Sequence, residues 1–324
     1  MGRLLAATSL SLFFTGDTMS DGSIAPELIR WLNVLSDLNY DPAKGVAPHK
    51  PLLLLVVLDL AEEGKLSGAL LHRDGDLAFR FSSYWRIVAE RRRTRPDVKL
   101  PFYHLKTEGV WVPLEADGRP AHDRNQAVLA KLDATFRLCL NDPTFRVLAR
   151  RTLIAKYFAP AERAELYNLS GIAVPPDDMA AADATRFLAS NESNSKRDAK
   201  FSVRVLPAYN YTCALTRYRM VAANGTTAVD AAHIHQFKKG GSNHPTNGLA
   251  LSKTSHWLFD HGFWSVAANL RIIVDESRFE EVGDEAYLLK KMAGRELLRP
   301  DNSLFLPDQQ SLAWHRRRHR FDPE

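Results

Sequence analysis

The sequence contains very little cysteine. Only two of its 324 residues are cysteine, Cys139 and Cys213. Two thiolates cannot complete a four-thiolate zinc site, and two cysteines do not make the disulfide framework of a small secreted domain. Scarce cysteine is typical of proteins from a reducing compartment. We therefore expect a cytoplasmic protein without a zinc ribbon.

Long apolar runs and a strong charge bias are also missing. No stretch approaches the roughly 20 apolar residues that span a bilayer, so we expect no membrane partner. Neither a Gly-x-Ser-x-Gly elbow nor a phosphate-binding glycine loop occurs, which argues against a small-substrate hydrolase of those types. The net charge of +5 agrees with a polyanionic partner but does not identify one.

The first residues are ambiguous. MGRLLAATSLSLFFTGDT has one arginine, an apolar stretch and small residues, which are also features of a secretory signal. We favour a mis-called start with the chain beginning at Met19, because the residues after it lead directly into an amphipathic helix. Residues 1–24 are accordingly interpreted as a disordered or spurious extension, with the secretory signal as the alternative.

The remaining length accommodates two domains. The segment VPPDDMAAADATRFLASNESNSKRD combines a proline pair, small residues and a Ser/Asn cluster, and it shows little periodic hydrophobicity. This composition is typical of a linker. We predict a first domain over residues 25–160, a linker over 161–196 and a second domain over 197–324.

Helical patterns dominate the first domain. PELIRWLNVLSDL and PLLLLVVLDLAEEG predict helices, the second with Pro51 at its first position and Gly64 after its end. The apolar run in the second segment is alternatively a buried strand. SSYWRIVAERRR and residues 125–157 predict two more helices. KLPFYHLKTEGVWVPL predicts a hairpin that turns at residues 107–109, which gives a mostly helical α+β domain with a small sheet.

One pattern in the second domain combines chemistry with spacing. His233, Asn247 and His256 are separated by 14 and then 9 residues, and Asp260 follows four residues later. The residues up to His233 predict a strand, the segment KKGGSNHPTNG a loop, and SKTSHWLFDHGF a short helix between Ser252 and Gly262. On that helix His256 and Asp260 are i and i+4, so both can face one cation.

This arrangement resembles the HNH nuclease motif, in which two strands and a helix hold one divalent cation against a phosphodiester. The resemblance implies that His233 is the general base, that Asn247 orients it, and that His256 and Asp260 bind Mg²⁺ or Mn²⁺. His233, Asn247 and His256 are thus the predicted catalytic residues. Many family members carry a further ligand directly before the base, where this sequence has Ala232. Asp230 and His235 are candidate replacements.

Three segments of the first domain resemble the sulfur-binding domain of type IV restriction enzymes. They are APHKPLLLL, LPFYHL with the following GVWVP, and LARRTLIAKYF. Such domains recognise DNA whose backbone carries a phosphorothioate. The resemblance implies contacts to the modified backbone from His49 and Lys50, and a sulfur pocket at three further positions, Leu100, Pro101 and His104.

The sequence departs from that family at several of these positions. Family members often have Arg where Lys50 stands, Tyr where Leu100 stands and a small residue where His104 stands. Lysine keeps the positive charge of arginine but lacks the planar guanidinium that binds a phosphate with two parallel hydrogen bonds. Leu keeps an apolar wall, whereas His104 narrows the pocket or adds a donor.

Two basic clusters are candidate phosphate contacts. Arg91, Arg92 and Arg93 end a predicted helix, where they either contact DNA or are simply solvated. The tail WHRRRHRF either contacts DNA beside the nuclease or covers its core with Trp314 and Phe321. The sequence leaves both pairs of alternatives open.

The fold class that follows is α+β with two domains, a DNA-reading domain followed by a ββα-metal (HNH) nuclease domain. The predicted function is a modification-dependent DNA endonuclease that finds phosphorothioate-marked double-stranded DNA and hydrolyses nearby phosphodiesters. One alternative is an HNH endonuclease that reads methylated or otherwise modified bases, or unmodified DNA. Another is a non-cleaving DNA-binding regulator with an inactive HNH fold. A homodimer is a symmetry expectation.

Overall fold

The computed structural model describes residues 24–39, 48–66, 68–89, 96–179 and 194–321. Residues 1–23 of the predicted extension, part of the predicted linker and the cluster Arg91, Arg92 and Arg93 lie outside the described residues. In the part that is described, no helix has the length and apolar character needed to cross a bilayer. Helices combined with small antiparallel sheets confirm the α+β class.

The N-terminal unit is built around one fully buried helix, α2. Its residues from Pro51 to Leu58 are all buried, and a helix that is apolar on every side must be surrounded by protein. Gly64, at φ +71°, follows its end. The helix prediction is confirmed over the buried-strand alternative. The helices of this unit are α1 (Ile24–Ser36), α2 (His49–Glu62), α3 (Gly75–Val88), α4 (Lys99–His104), α5 (Ala134–Leu140), α6 (Pro143–Tyr157) and α7 (Pro160–Leu169).

Three short strands form the sheet of this unit. They are β1 (Leu70–His72), β2 (Trp111–Leu114) and β3 (Leu129–Leu132), and they lie in the order β1-β3-β2. Both pairings are antiparallel, with Trp111 opposite Leu132. The small sheet predicted from the sequence is therefore present, but its strands come from three separate segments.

The hairpin predicted across residues 99–114 is wrong. Its first arm is α4 followed by a 3₁₀ turn, and only its second arm is a strand, which pairs with β3. Pro101 lies in the first turn of α4, where its missing N–H breaks no helical bond. The Trp111 indole donates to the Phe102 carbonyl over 2.7 Å, so the aromatic residues pack a strand against a helix. Gly109, at φ +71°, ends the 3₁₀ turn.

The single helix predicted across residues 125–157 is also wrong, because the segment contains β3, α5 and α6. Asp133 caps α5 by accepting from Thr135 N at 2.9 Å. Asp142 caps α6 by accepting from Thr144 N at 2.7 Å, and Pro143 is the first helical residue. An Asp cap followed by Pro is a helix-start signal inside the predicted helix, and it divides that helix.

Helix α7 lies inside the segment that was interpreted as a linker. Its residues Leu166, Tyr167 and Leu169 are buried, and it packs against α3 and α6. The Tyr84 hydroxyl meets Ser170 Oγ at 3.2 Å just beyond it. The packed part of the N-terminal unit therefore continues through Ser170.

The C-terminal unit contains the predicted strand–loop–strand–helix arrangement. Its first two strands are antiparallel, with His233 opposite Gly248. Ser252 caps the following helix and Gly262, at φ +70°, lies just past its end, as predicted. The elements are α8 (Asn194–Ala208), β4 (Val229–His233), β5 (Gly248–Ser252), α9 (Lys253–Asp260), β6 (Trp264–Val266), β7 (Ile272–Val274) and α10 (Gln309–Arg318).

The two units share a packed joint in which α8 lies along α3. Arg80 is 1% exposed and binds Glu63 with two hydrogen bonds of 2.7 and 2.8 Å. Its Nε also donates to Asp76 at 2.6 Å. The Tyr211 hydroxyl, from the C-terminal unit, donates to the same carboxylate. A buried cation of one unit is thus hydrogen-bonded, through Asp76, to the other.

Candidate active site

His233 stands at the end of β4 with its ring held on one face and at one edge. The ring stacks on Phe201 of α8, with centroids 3.8 Å apart and planes 6° apart. The Nε2 atom lies 2.8 Å from Asn243 Oδ1 in the loop after β4. Because an amide oxygen only accepts, this contact places a hydrogen on Nε2. The ring is thus oriented by Phe201 on its face and by Asn243 at its edge.

Asn247 closes the loop that contains Asn243. Its Oδ1 accepts from His235 N at 2.8 Å, and its Nδ2 donates to the carbonyls of His235 at 2.9 Å and Ser242 at 2.8 Å. The residue is 1% exposed. A buried amide with three bonds to the main chain fixes the loop in one conformation. The loop in turn places Asn243 against His233.

His256 and Asp260 lie together on one side of α9, as their spacing predicts. The Nε2 atom of His256 is 3.4 Å from Asp260 Oδ2, and both side chains are partly exposed. Imidazole nitrogen and carboxylate oxygen form a donor pair that suits a divalent cation. In the described ranges, no group of three His, Cys, Asp or Glu side chains is placed to hold a metal. His256 and Asp260 thus form a donor pair on one side of α9.

Three residues near His233 bear on the predicted ligand set. Ala232, which stands where many relatives carry a ligand, is fully buried in the core. His235 is turned to another partner, since its ring stacks on Trp314 at 4.1 Å and its Nε2 meets the Lys239 carbonyl at 3.0 Å. Asp230 is exposed on β4.

Cys213 has a structural place at this site. Its sulfur lies 3.3 Å from Ser252 N and 3.5 Å from Ser255 Oγ, at the start of α9. Both cysteines of the chain are buried and free. Cys213 therefore ties the segment before β4 to the helix that carries His256.

Two residues of the site were not predicted from the sequence, Phe201 and Asn243. Asn243 lies in a loop full of polar residues, where nothing distinguishes it from Ser242 or His244. Phe201 lies far from the motif in sequence and reaches His233 only because α8 packs on β4. Their roles depend on tertiary contacts that no local spacing encodes.

The predicted sulfur-binding residues lie near one another at the junction of α2 and α4. Lys50 Nζ reaches Thr107 Oγ1 at 3.3 Å and forms an ion pair with Glu108 at 2.7 Å, directly after α4. Pro101 is buried, whereas Leu100 is half-buried and His104 exposed on α4. Partial burial lowers the pKa of His104. The nearby cations lower it further, and Lys50 has the largest effect among them.

His49 belongs to the aromatic core of this junction. Its ring lies 4.6 Å from that of Trp85 and 6.4 Å from that of Phe81. The structure thus brings the segment of Lys50 beside the segment of His104. Within the protein, the charge of Lys50 is matched by Glu108.

Comparison with known proteins identifies the C-terminal chemistry. Residues 213–267 match the family model of an HNH endonuclease. Residues 213–267 are thus an HNH endonuclease domain, which agrees with the predicted enzyme class.

The chain was also compared with solved structures and with curated proteins. A modification dependent TagI restriction endonuclease of known structure is 18% identical over 39% of this chain and 39% of that chain, with a TM-score of 0.29. No curated protein matches the sequence.

Proposed function

We propose that the chain is a modification-dependent DNA endonuclease, with an N-terminal unit that reads phosphorothioate-marked DNA and an HNH domain that cuts nearby. One observation carries the nuclease half. His233 is held against Phe201 and Asn243 while His256 and Asp260 share one side of the helix in the same ββα unit. The reader half is supported by the sequence resemblance and by the proximity of Lys50 to the segment of His104.

His233 is the general base in this proposal. Its imidazole accepts the proton of the attacking water, and Asn243 bonds to the ring at Nε2. Stacking on Phe201 keeps the ring plane fixed during that transfer. Asn247 acts through the loop, because its three main-chain bonds hold the segment that positions Asn243. Asn247 is therefore a positioning residue.

His256 and Asp260 are the residues that hold a divalent ion, Mg²⁺ or Mn²⁺. When bound, such an ion supplies Lewis-acid stabilisation of the negative charge that develops on the phosphate and the departing 3′ oxygen. The residues fit this task, since both side chains remain partly open to solvent and their nearest atoms are 3.4 Å apart. The products carry 5′ phosphates and 3′ hydroxyls.

The reader proposal depends on the difference between sulfur and oxygen. Sulfur in place of a non-bridging oxygen is larger, softer and less hydrated, so an apolar wall penalises it less than it penalises oxygen. Leu100 and Pro101 offer such a wall on α4, and Lys50 and His104 offer donors beside it. Because Lys50 already pairs with Glu108, binding of a phosphate there requires the lysine to exchange partners.

A second candidate, a reader of modified bases, is favoured by a cavity beside β2. Its volume is about 480 Å³ and its lining includes Trp111, Val112 and Leu132, with Lys106 and Lys131 at the polar side. Cavities of this size hold small planar ligands. A flipped base inserted there would place its modification against apolar side chains.

The test compares three duplexes of one sequence: unmodified, with one stereodefined phosphorothioate, and with one methylated base. Each is incubated with the protein and Mg²⁺ or Mn²⁺. The proposal predicts cleavage of the sulfur-bearing duplex alone, and Lys50→Ala should weaken that selectivity. Preferred cleavage of the methylated duplex would favour the second candidate, and equal cleavage of all three would leave the nuclease without a modification reader. Selective binding without cleavage would indicate a regulator.

A further inference from the structure

A groove runs between the active-site loop and the C-terminal helix α10. It has a volume of about 960 Å³, and its lining includes His235 and Ser242 on the loop side and Gln309, Trp314 and Arg317 on the helix side. Polar side chains and main-chain groups make up much of both walls. Its size suits a segment of extended polymer as well as a small molecule.

Both sides of the groove are held in place. On the loop side, His235 stacks on Trp314, with the rings 4.1 Å apart and 20° from parallel. On the helix side, the buried His315 stacks on Phe259 of α9 at 3.7 Å. Since α9 also carries His256 and Asp260, the helix that forms the groove is fixed to the proposed metal-binding residues.

One cation lines the groove, Arg317, and two more, Lys238 and Lys239, lie in the loop segment between the lining residues His235 and Gly240. Arg317, Lys238 and Lys239 are exposed, and none forms an ion pair with an acid in the described parts of the chain. Asp308, the acid in the lining, is occupied in capping α10, where it accepts from Ser311 N at 2.7 Å. Among the described residues, Asp308 is thus the acid of the lining, and the three exposed cations Arg317, Lys238 and Lys239 outnumber it.

The contrast with the N-terminal unit is informative. There Arg80 and Arg150 are buried in ion pairs, and Lys50 is bound to Glu108. Those cations support the fold. Exposed cations without acids on a nuclease domain instead suit an external polyanion.

The loop that lines the groove also carries the residue that contacts the proposed base. Ser242 lines it, and the next residue, Asn243, accepts from His233. A strand that lies in the groove therefore passes within one residue of the partner of His233.

We propose that this groove binds the sugar-phosphate backbone of DNA flanking the scissile bond. Arg317 contacts a phosphate from the helix side, and Lys238 and Lys239 do so from the loop side. This inference rests on the proposed nuclease function and adds the path of the DNA strand. The sequence left open whether the basic tail contacts DNA or covers the nuclease core. We assign it both roles, because buried residues on one side of α10 pack on the core while Arg317 lines the groove.

The experiment measures binding of an unmodified 20-base-pair duplex to the cleavage-deficient His233→Ala protein at several salt concentrations. In that background, Arg317→Ala and the double change Lys238→Ala/Lys239→Ala are compared with Arg295→Ala. Arg295 is an exposed arginine of the same unit on the segment that bonds to β7. We expect Arg317→Ala to weaken binding about fivefold and to lower the slope of log K against log salt by about one. The double lysine change should lower the slope of log K against log salt by up to about two.

The outcomes separate the two claims. In one outcome, Arg317→Ala and the double lysine variant bind DNA as tightly as Arg295→Ala and keep the same salt slope, while the wild-type protein cleaves DNA. That result overturns the groove proposal and leaves the nuclease proposal standing. If the His233→Ala protein binds no DNA and the wild type cleaves none, the proposed function itself fails. Circular dichroism of each variant confirms that the exposed substitutions leave the fold unchanged.

Discussion

At the scale of single residues, the chemistry of the site depends on which nitrogen of His233 carries hydrogen. Asn243 decides this, because its amide oxygen is 2.8 Å from Nε2. Phe201 holds the ring plane, and Asn247 holds the loop. The orientation of the ring thus depends on Phe201 and Asn243, which lie outside the three-residue motif, as well as on Asn247 within it.

Replacing Asn243 tests this arrangement. Asn243→Ala should lower kcat/KM on the order of 10- to 100-fold, because the ring loses its orientation. Asn243→Asp keeps an acceptor and adds a negative charge, which raises the pKa of His233. Because the base must be neutral, the acid limb of the pH–rate profile should then move to higher pH.

The control for this measurement is Ser242→Ala, a neighbouring exposed residue whose hydroxyl meets His244 N and not the ring. Its profile should match the wild type. If Asn243→Asp lowers the rate without moving the acid limb, Asn243 has only a structural role.

At the scale of elements, the nuclease half was largely predictable and the reader half only in part. The strand, loop and helix of the HNH unit follow from local signals: β-branched residues, a Gly/Asn/Pro loop, and Ser252 and Gly262 at the helix ends. In the reader half, α2 follows from its apolar run. The segments 99–114 and 125–157 were assigned wrongly, because the pairing of β2 with β3 joins residues far apart in sequence. The partners of His233 were unpredictable for the same reason.

Helix α10 should make the nuclease domain sensitive to acid. His315 is 2% exposed, and Ser265 Oγ and the Phe259 carbonyl lie 2.9 and 3.0 Å from its ring nitrogens. Burial, and then the neighbouring His319, lowers the pKa of His315 from 6.5 to about 3. Between these values the unfolded chain binds a proton that the folded chain does not, so stability is lost as pH falls below about 6.5.

This predicts that His315 alone lowers the free energy of unfolding by about 2 kcal/mol between pH 7 and pH 5. Urea unfolding of the wild type and His315→Gln at both pH values measures it. The difference in unfolding free energy between the two proteins should change by about that amount, since Gln does not titrate. Parallel changes in both proteins would show that His315 does not contribute.

At the scale of the whole molecule, the N-terminal unit and the nuclease domain are joined by packing contacts as well as by the chain itself. Ala222 N donates to Thr226 O at 2.8 Å across the predicted Asn224-Gly225 turn. Gly225, at φ +81°, lies against the backbone of Phe79 on α3, and a Cβ there would also come within 2.7 Å of the Ala78 carbonyl carbon. A joint this close fixes the distance between the two functional surfaces.

Substituting Gly225 should loosen that joint. Gly118 offers a matched control, since its φ is +86° and a Cβ there would meet nothing within 4 Å. Both Gly→Ala changes carry a backbone penalty of about 1–2 kcal/mol. The free energy of unfolding of Gly225→Ala should fall by about 1–3 kcal/mol more, because the added methyl group overpacks the contact with α3. Denaturant unfolding would detect this difference. Equal losses in the two variants would mean that the contact with Phe79 does not hold the units together.

The central claim is that the HNH site cuts DNA with His233 as its base. The most direct measurement is cleavage of the sulfur-bearing duplex in Mg²⁺ or Mn²⁺ by the wild type, by His233→Ala and by His244→Ala, a loop histidine bonded to Thr246. The account predicts cleavage by the wild type and by His244→Ala, and a loss of at least about 100-fold in His233→Ala with DNA binding retained. Cleavage by His233→Ala at the wild-type rate would contradict it.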